Sequence, residues 1–269
     1  LRAFAAQLEK EIGQPVTINN KSGAGGIVGV EYAMSQPEDG YIWLLNTPST
    51  MLAQITGATD LDVYGNITPV CQLVHDTNVL VTSKDSPFNT YEELMAYVEA
   101  NPGTVKCGVM TITGLYAACV QTTFGDKIES VAYSEGAQLS ADVIGNHVSL
   151  ACVGPAEVMG MIQSGDMKPV LVFSENRLTM DGFENAECTG ELGIDSYFGP
   201  YRGIFAKNGT PEEAMKAFEA AAEKAVNSEE FQTWAASQGL DQRQGWKNTA
   251  DFKSTWEESY KDLTELFGN

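Results

Sequence analysis

The stretch "IGQPVTINNKSGAGGIVGVEYAMSQPEDGY", residues 12–41, decides how this chain is read. Its β-favouring run PVTINN (15–20) predicts a strand, and IVGVEYAMSQ (27–36) predicts a helix. Between and just beyond them lie Gly23, Gly25, Gly26 and Gly29. A glycine-rich turn from strand to helix aims backbone N–H groups and the positive end of a helix dipole at one point, which suits an anion. The spacing excludes a dinucleotide, because G-x-G-x-x-G begun at Gly23 and Gly25 needs a glycine at Val28, and Gly29 comes one residue late. No Lys-Ser/Thr pair follows, which excludes a P-loop. Two readings remain open: a seat for a smaller anion, or a tight turn where a helix packs closely on a sheet.

Outward from this stretch, composition narrows the partners. The 269 residues carry 36 acidic against 16 basic side chains, a formal charge of −20, with 43% hydrophobic residues. That length holds one large α/β domain or two lobes with real cores. The charge repels nucleic acid and anionic lipid, so neither is an expected partner. An anionic ligand must be captured by local donors within the roughly 8–10 Å over which salt screens the global field. No apolar run reaches membrane-spanning length, so no direct membrane insertion is expected. Cys71, Cys107, Cys119, Cys152 and Cys188 form no CxxC and no paired metal spacing, with only His75 and His147 beside them. Neither a metal nor a cofactor is implied. The apolar contexts TVKCGV and SLACVG read as buried, inert thiols.

Along the chain, Leu1, Phe4, Leu8 and Ile12 fall on one face of an opening helix that Gly13 ends. A helix in first position implies a strand and loop before it in an α/β wind. After residue 41 come a strand YIWLLN, the hydroxyl loop TPST (47–50), and apolar stretches VCQLV and NVLVTS. A helix follows, capped near Asn89 or Thr90 and stopped by Asn101-Pro102-Gly103. The next units are TVKCGV, loop MTITG, a helix at LYAACVQTTFG, SVAY, GAQLSADVIG, HVSLACVG, PAEVMGMIQSG and KPVLVFS. Helices close the chain at 211–226, 229–238 and 249–267. This alternation predicts parallel sheets in two α/β lobes, 1–82 with 203–269 and 83–202, and a cleft beyond the carboxyl ends of the strands.

The order of these pieces resembles the substrate-binding proteins of tripartite tricarboxylate transporters. The likeness is carried by residues 12–41 (G-Q-P-V, N-x-x-G-A-G-G, and P-E-D-G-Y where the family has P-D-G-Y), NPGTVKCGV at 101–109, VAYSEGAQLSADVIGNHVSLACV at 131–153 and GIFAKNGTPEE at 203–213, essentially the whole chain. The resemblance implies a two-lobed type II periplasmic-binding (Venus-flytrap) α/β fold. It also implies one small carboxylate ligand held by backbone N–H groups, hydroxyls and water, a periplasmic or extracytoplasmic location, a monomer, and delivery to membrane permease subunits. It implies no catalysis, and no G-x-S-x-G elbow or Ser-His-Asp order argues otherwise. A receptor docking on a sensor kinase is the alternative of a different class. Where relatives carry a small-residue run after the 104–109 strand, this chain has GVMTITGLY, and V-P-Y-K-G becomes VAYSEG with Ser134 and Glu135.

The candidate ligand contacts are Ala24 and Gly25 of the glycine loop, Thr47 and Ser49 of TPST, Thr111, Thr113 and Gly114 of MTITG, Tyr133, Gly154 and Arg202. Thr111 and Thr113 can donate to a carboxylate or cap a helix, and Thr47 and Ser49 carry the same two readings. Tyr133 ends a strand and can line a cleft or pack in the core. Arg202, with its fork of donors, can clamp a carboxylate or join an ion pair. Glu135 pointing inward would repel an anion, so it is expected to face outward or to meet a ligand amine.

Overall fold

The computed structural model describes residues 1–112, 114–196 and 199–268. The chain divides into two compact units, Leu1–Asp76 with Pro200–Asn269, and Thr77–Gly199.

In the first unit, α1 (Arg2–Ile12) buries Phe4, Ala5 and Leu8, while Leu1 and Ile12 at its ends stay exposed. Gly13 closes it in the left-handed region at φ 64°, its N–H donating to the Glu9 carbonyl, a conformation only glycine adopts without strain. Residues 15–20 form no strand and are largely exposed. Their β-propensity goes unrealised because such a preference acts only through cross-strand neighbours, and no described strand pairs with them. A 3-10 turn, Ala24–Gly26, leads into α2 (Ile27–Ser35), then β1 (Leu44–Asn46), α3 (Pro48–Ile55), α4 (Val63–Asn66) and β2 (Ile67–His75).

The sheet of this unit has the order β1-β9-β2, with β9 (Tyr201–Lys207) antiparallel to both neighbours. The parallel sheet expected here is therefore replaced by an antiparallel one, because its central strand arrives from the far end of the sequence. Pro69 sits at a bulge in β2, where its missing donor costs no ladder bond. Helices α9 (Glu212–Val226), α10 (Glu229–Ser237) and α11 (Thr249–Phe267) complete the unit. Phe252 and Trp256 of α11 bury their rings against Phe205 of β9, each burial worth roughly 1.5–3 kcal/mol. They approach so closely that a Cβ on Gly203 would lie 2.1 Å from Phe252.

The second unit contains β3 (Asn78–Ser83), α5 (Tyr91–Ala100), β4 (Lys106–Val109), α6 (Leu115–Phe124), β5 (Glu129–Ala132), α7 (Gly136–Ile144), β6 (Leu150–Val153), α8 (Pro155–Gln163), β7 (Met167–Phe173) and β8 (Glu187–Cys188). Their order is β5-β4-β6-β3-β7-β8. β5, β4 and β6 run parallel, whereas β3 is antiparallel to both β6 and β7. The expected parallel sheet is present here as its first three strands. Alternation sorts the side chains: Leu80, Cys107, Val109, Leu150 and Cys152 face α5 and α6. Val79, Val81, Ala151 and Val153 face α7 and α8. Thr90 caps α5 by accepting the Glu93 N–H at 3.2 Å, as the sequence suggests.

The sequence boundaries at 82/83 and 202/203 fall within β3 and β9, whereas the units meet at 76/77 and 199/200. A strand is held by its ladder, so β3 goes whole with β6 and β7. All five cysteines are free and buried, and burial raises the Cys71, Cys107 and Cys152 thiols far above the ordinary range.

Candidate functional site

In the first unit, the backbone runs through positive φ at four successive residues, Gly23 (138°), Ala24 (46°), Gly25 (63°) and Gly26 (105°). This is why glycine fills three of the four positions. The loop lies against α3: a Cβ on Gly26 would come within 3.1 Å of the Thr50 methyl group. The first turns of α2 and α3 are thereby neighbours. Neither has an acidic residue in its first turn or a capping side-chain bond, and Thr47, the N-cap of α3, leaves its hydroxyl out of the cap. Pro48 at the first helical position gives up a donor that would have had no partner in the helix.

Buried Asn46, at the end of β1, fixes the geometry below. Its Nδ2 donates to Thr50 Oγ1 at 2.8 Å. Thus Ala24, Gly25, Thr47 and Ser49 are brought together in one unit, on a loop and helix turn rich in backbone donors. Asn46 and Thr50 were not among the expected residues. The signal available was a polar residue ending an apolar strand.

Arg202, also in the first unit, occupies the β9 position next to Gly203, which pairs with Asn46. Its Nη1 donates to Asp76 Oδ2 at 2.9 Å, and Asp76 is nearly buried. The ion-pair reading of Arg202 is the one the structure shows. Asp76 N–H also donates to the Pro200 carbonyl, so this pair ties together the two points where the chain leaves the unit.

In the second unit, the candidates gather at the carboxyl ends of β4, β5 and β6. Tyr133 N–H donates to the Val109 carbonyl at 2.8 Å, holding the end of β5 on β4. Its hydroxyl donates to Asp142 Oδ2 at 2.9 Å. Desolvation first, then this carboxylate, pushes the phenol above its ordinary value. Gly114 is the N-cap of α6, and a Cβ there would collide with the Thr111 methyl group at 2.6 Å. Thr111 is half-buried beside it, and Thr113 lies outside the described residues. Gly108 is likewise fixed, with Leu139 at 2.1 Å and Tyr133 at 3.1 Å from a Cβ. Glu135 is exposed, at the N-cap of α7.

Gly154 is the N-cap of α8, and its N–H donates to Glu157 Oε1 at 3.0 Å. The same oxygen accepts from the Tyr116 hydroxyl of α6 at 3.2 Å. Glu157 Oε2 lies 3.9 Å from a Cβ built on Gly136, the first residue of α7. One carboxylate therefore joins the first turns of α6 and α8. Sequence reading set the GPAE turn (154–157) beside the strand ends but gave Glu157 no role, although Pro155 at the first helical position and Glu at the third are a helix-start signature. Among the described residues, no cluster of His, Cys, Asp and Glu can hold a metal ion, and no helix is long and apolar enough to cross a membrane.

The chain is similar to a UPF0065 protein of Bordetella pertussis, 27% identical over 89% of this chain and 75% of that protein. It is similar in structure to a TctC solute-binding protein from Polaromonas, with a TM-score of 0.80 and 25% identity over 98% of this chain and 91% of the other. MatC from Rhodopseudomonas palustris, solved with bound malate, shares the fold at a TM-score of 0.82 and 19% identity, covering 99% of this chain and 92% of that one. The α/β fold is thus that of the TctC solute-binding proteins, and the family matched is one of receptors, not of enzymes. Residues 1–258 match the model of the tripartite tricarboxylate transporter family receptors (TctC), and the chain belongs to that family.

Proposed function

We propose that this receptor captures a small organic carboxylate, a di- or tricarboxylate or a related acid, outside the cytoplasm and delivers it, as a monomer, to the permease subunits of a tripartite tricarboxylate-type membrane transporter. The observation that carries this reading is the pair of adjacent first turns of α2 and α3, free of acidic residues and of side-chain caps in a chain of net charge −20. Backbone N–H groups there, with the Thr47 and Ser49 hydroxyls, bind a carboxylate without a salt bridge. The turn after β4, with Thr111, Thr113 and Gly114, together with Tyr133 and Gly154, supplies the contacts of the second unit. Arg202 serves the site by holding Asp76. The malate bound by MatC supports the ligand class.

A thermal-shift screen of the full chain against mono-, di- and tricarboxylates, amino acids and aromatic acids tests the reading. A bound acid at 100 times its dissociation constant adds about 2.7 kcal/mol, so a shift confined to one carboxylate class is expected. A folded protein that, stripped of copurified ligand by unfolding and refolding, shifts with no carboxylate contradicts it.

A further inference from the structure

We infer that Asn46 is the positioning residue of the carboxylate seat: its buried amide fixes the rotamer of Thr50 and thereby the spacing between the first turns of α2 and α3. This rests on the reading of those turns as the seat of the ligand, and every residue it uses belongs to the first unit.

β1 ends in Asn46, 5% exposed, at the register position opposite Gly203 of β9. Opposite residues of an antiparallel pair turn their side chains to the same face of the sheet. Gly203 has none, and its place is taken by the Phe252 ring, 2.1 Å from where a Cβ would lie. The Asn46 amide shares that apolar face, where a polar group must find its partners inside the protein and where each hydrogen bond gains strength. The partner is Thr50, 1% exposed. Thr50 Oγ1 lies 2.8 Å from Asn46 Nδ2, 3.1 Å from Asn46 Oδ1 and 3.3 Å from the Thr47 carbonyl. The oxygen accepts from the amide, and the hydroxyl hydrogen has two acceptors within reach.

A threonine carries an oxygen and a methyl group on one Cβ, so holding the oxygen decides where the methyl points. With Oγ1 on the Asn46 amide, the Thr50 methyl meets Gly26, 3.1 Å from where a Cβ would lie. Gly26 is the N-cap of α2, and Thr50 stands in the first turn of α3, whose N-cap is Thr47. One amide thus settles how near the two helix starts lie. That distance matters because the two oxygens of a carboxylate have a fixed separation, and they take donors from both turns only when the turns stand at the matching spacing. Asn46 and Thr50 are buried, whereas Thr47 and Ser49 remain partly exposed. Contact with the ligand falls to the exposed pair and to the backbone, and Asn46 acts through them. A carboxylate at position 46 would offer Thr50 no donor and would set a buried charge beneath the anion.

Acetate, the smallest carboxylate of this kind, probes the seat with nothing required of the second unit. It is titrated into the isotopically labelled full chain, followed by the amide signals of Gly25, Gly26 and Ser49, and into Asn46→Ala, Thr50→Val and the double variant. Each single variant is expected to bind acetate about tenfold more weakly, the scale of one lost buried hydrogen bond. The double variant binds no more weakly than the poorer single one, because both changes cut the same link. Asn46→Asp, of the same shape, adds a readout that packing alone does not move: weak binding at about pH 8 and recovery towards about pH 6, where a buried carboxyl regains the proton that Thr50 needs. The parent affinity stays constant over that range. Thr50→Val keeps the side-chain shape and serves should Asn46→Ala fail to fold. Folded variants that bind acetate as the parent does, a double variant whose loss is the product of the single ones, or Asn46→Asp binding equally at both pH values overturns the role of Asn46 and leaves the receptor reading intact. A parent chain whose three amides do not respond to acetate overturns the seat itself, and this inference with it.

Discussion

The first turns of α2 and α3 in one unit, and of α6 and α8 in the other, are built from similar parts: short polar loops and glycine or hydroxyl N-caps. They differ at α8, where Glu157 brings a carboxylate into the group. The chain is not short of acid elsewhere, since α5, α9, α10 and α11 all begin with acidic first turns. Helix N-termini in this protein are thus used in two ways. Those of α2 and α3 carry no side-chain carboxylate and are the ones proposed to take a ligand anion, whereas that of α8 is supplied with an internal one. The difference teaches that a positive helix end marks an anion site only after its own side chains have been counted.

The comparison breaks most severely if a carboxylate is placed where the first unit has none. Ser49→Asp is expected to weaken carboxylate binding about a hundredfold or more, roughly 2.7 kcal/mol, while the melting temperature holds or rises, because an acid in a first helical turn is stabilising by about 0.3–1 kcal/mol. Calorimetry and a thermal melt on the same sample check both halves. Next in size is the packing that shapes each unit. Gly108→Ala, forced against Leu139 at 2.1 Å, is expected to cost about 1–3 kcal/mol in denaturant unfolding. Gly26→Ala, at φ 105° and beside Thr50, is expected to cost about 1–2 kcal/mol and to lower carboxylate affinity with it. Replacing Thr111 and Thr113 together by valine is expected to cost at least tenfold in affinity, about 1.4 kcal/mol, with the fold intact; unchanged affinity removes them from the site. The smallest effect concerns Tyr133. Asp142→Asn takes away the carboxylate that helps raise its phenol, so an ultraviolet titration should show that tyrosine ionising at lower pH than in the parent protein, and stability should fall by about 0.5–1.5 kcal/mol.

The second unit was the more legible in the sequence. Its strands are short apolar runs between turns, and burial on both faces makes such runs continuous, as NVLVTS shows with every residue buried. The first unit misled in two ways. PVTINN has strand composition but no described ladder partner, and the direction of its sheet depends on β9, which follows β2 only after the whole second unit. The glycine loop was read as a strand-to-helix turn: the helix follows and the strand does not, while the glycines were legible because φ above zero has few residue solutions. Arg202 was visible as a scarce fork-shaped donor, yet its partner Asp76 lies 126 positions away. The GPAE turn was visible at a strand end, yet the partner that Glu157 takes there, Tyr116 of α6, lies 41 positions away.

The central claim is that a ligand carboxylate sits on the first turns of α2 and α3. Amide NMR of the isotopically labelled full chain, titrated with the carboxylate that gives the largest thermal shift, tests it most directly. The account predicts that the largest shifts fall at Gly25, Gly26, Ser49 and Thr50. Shifts confined to the second unit, with those four amides unmoved at saturation, would contradict it.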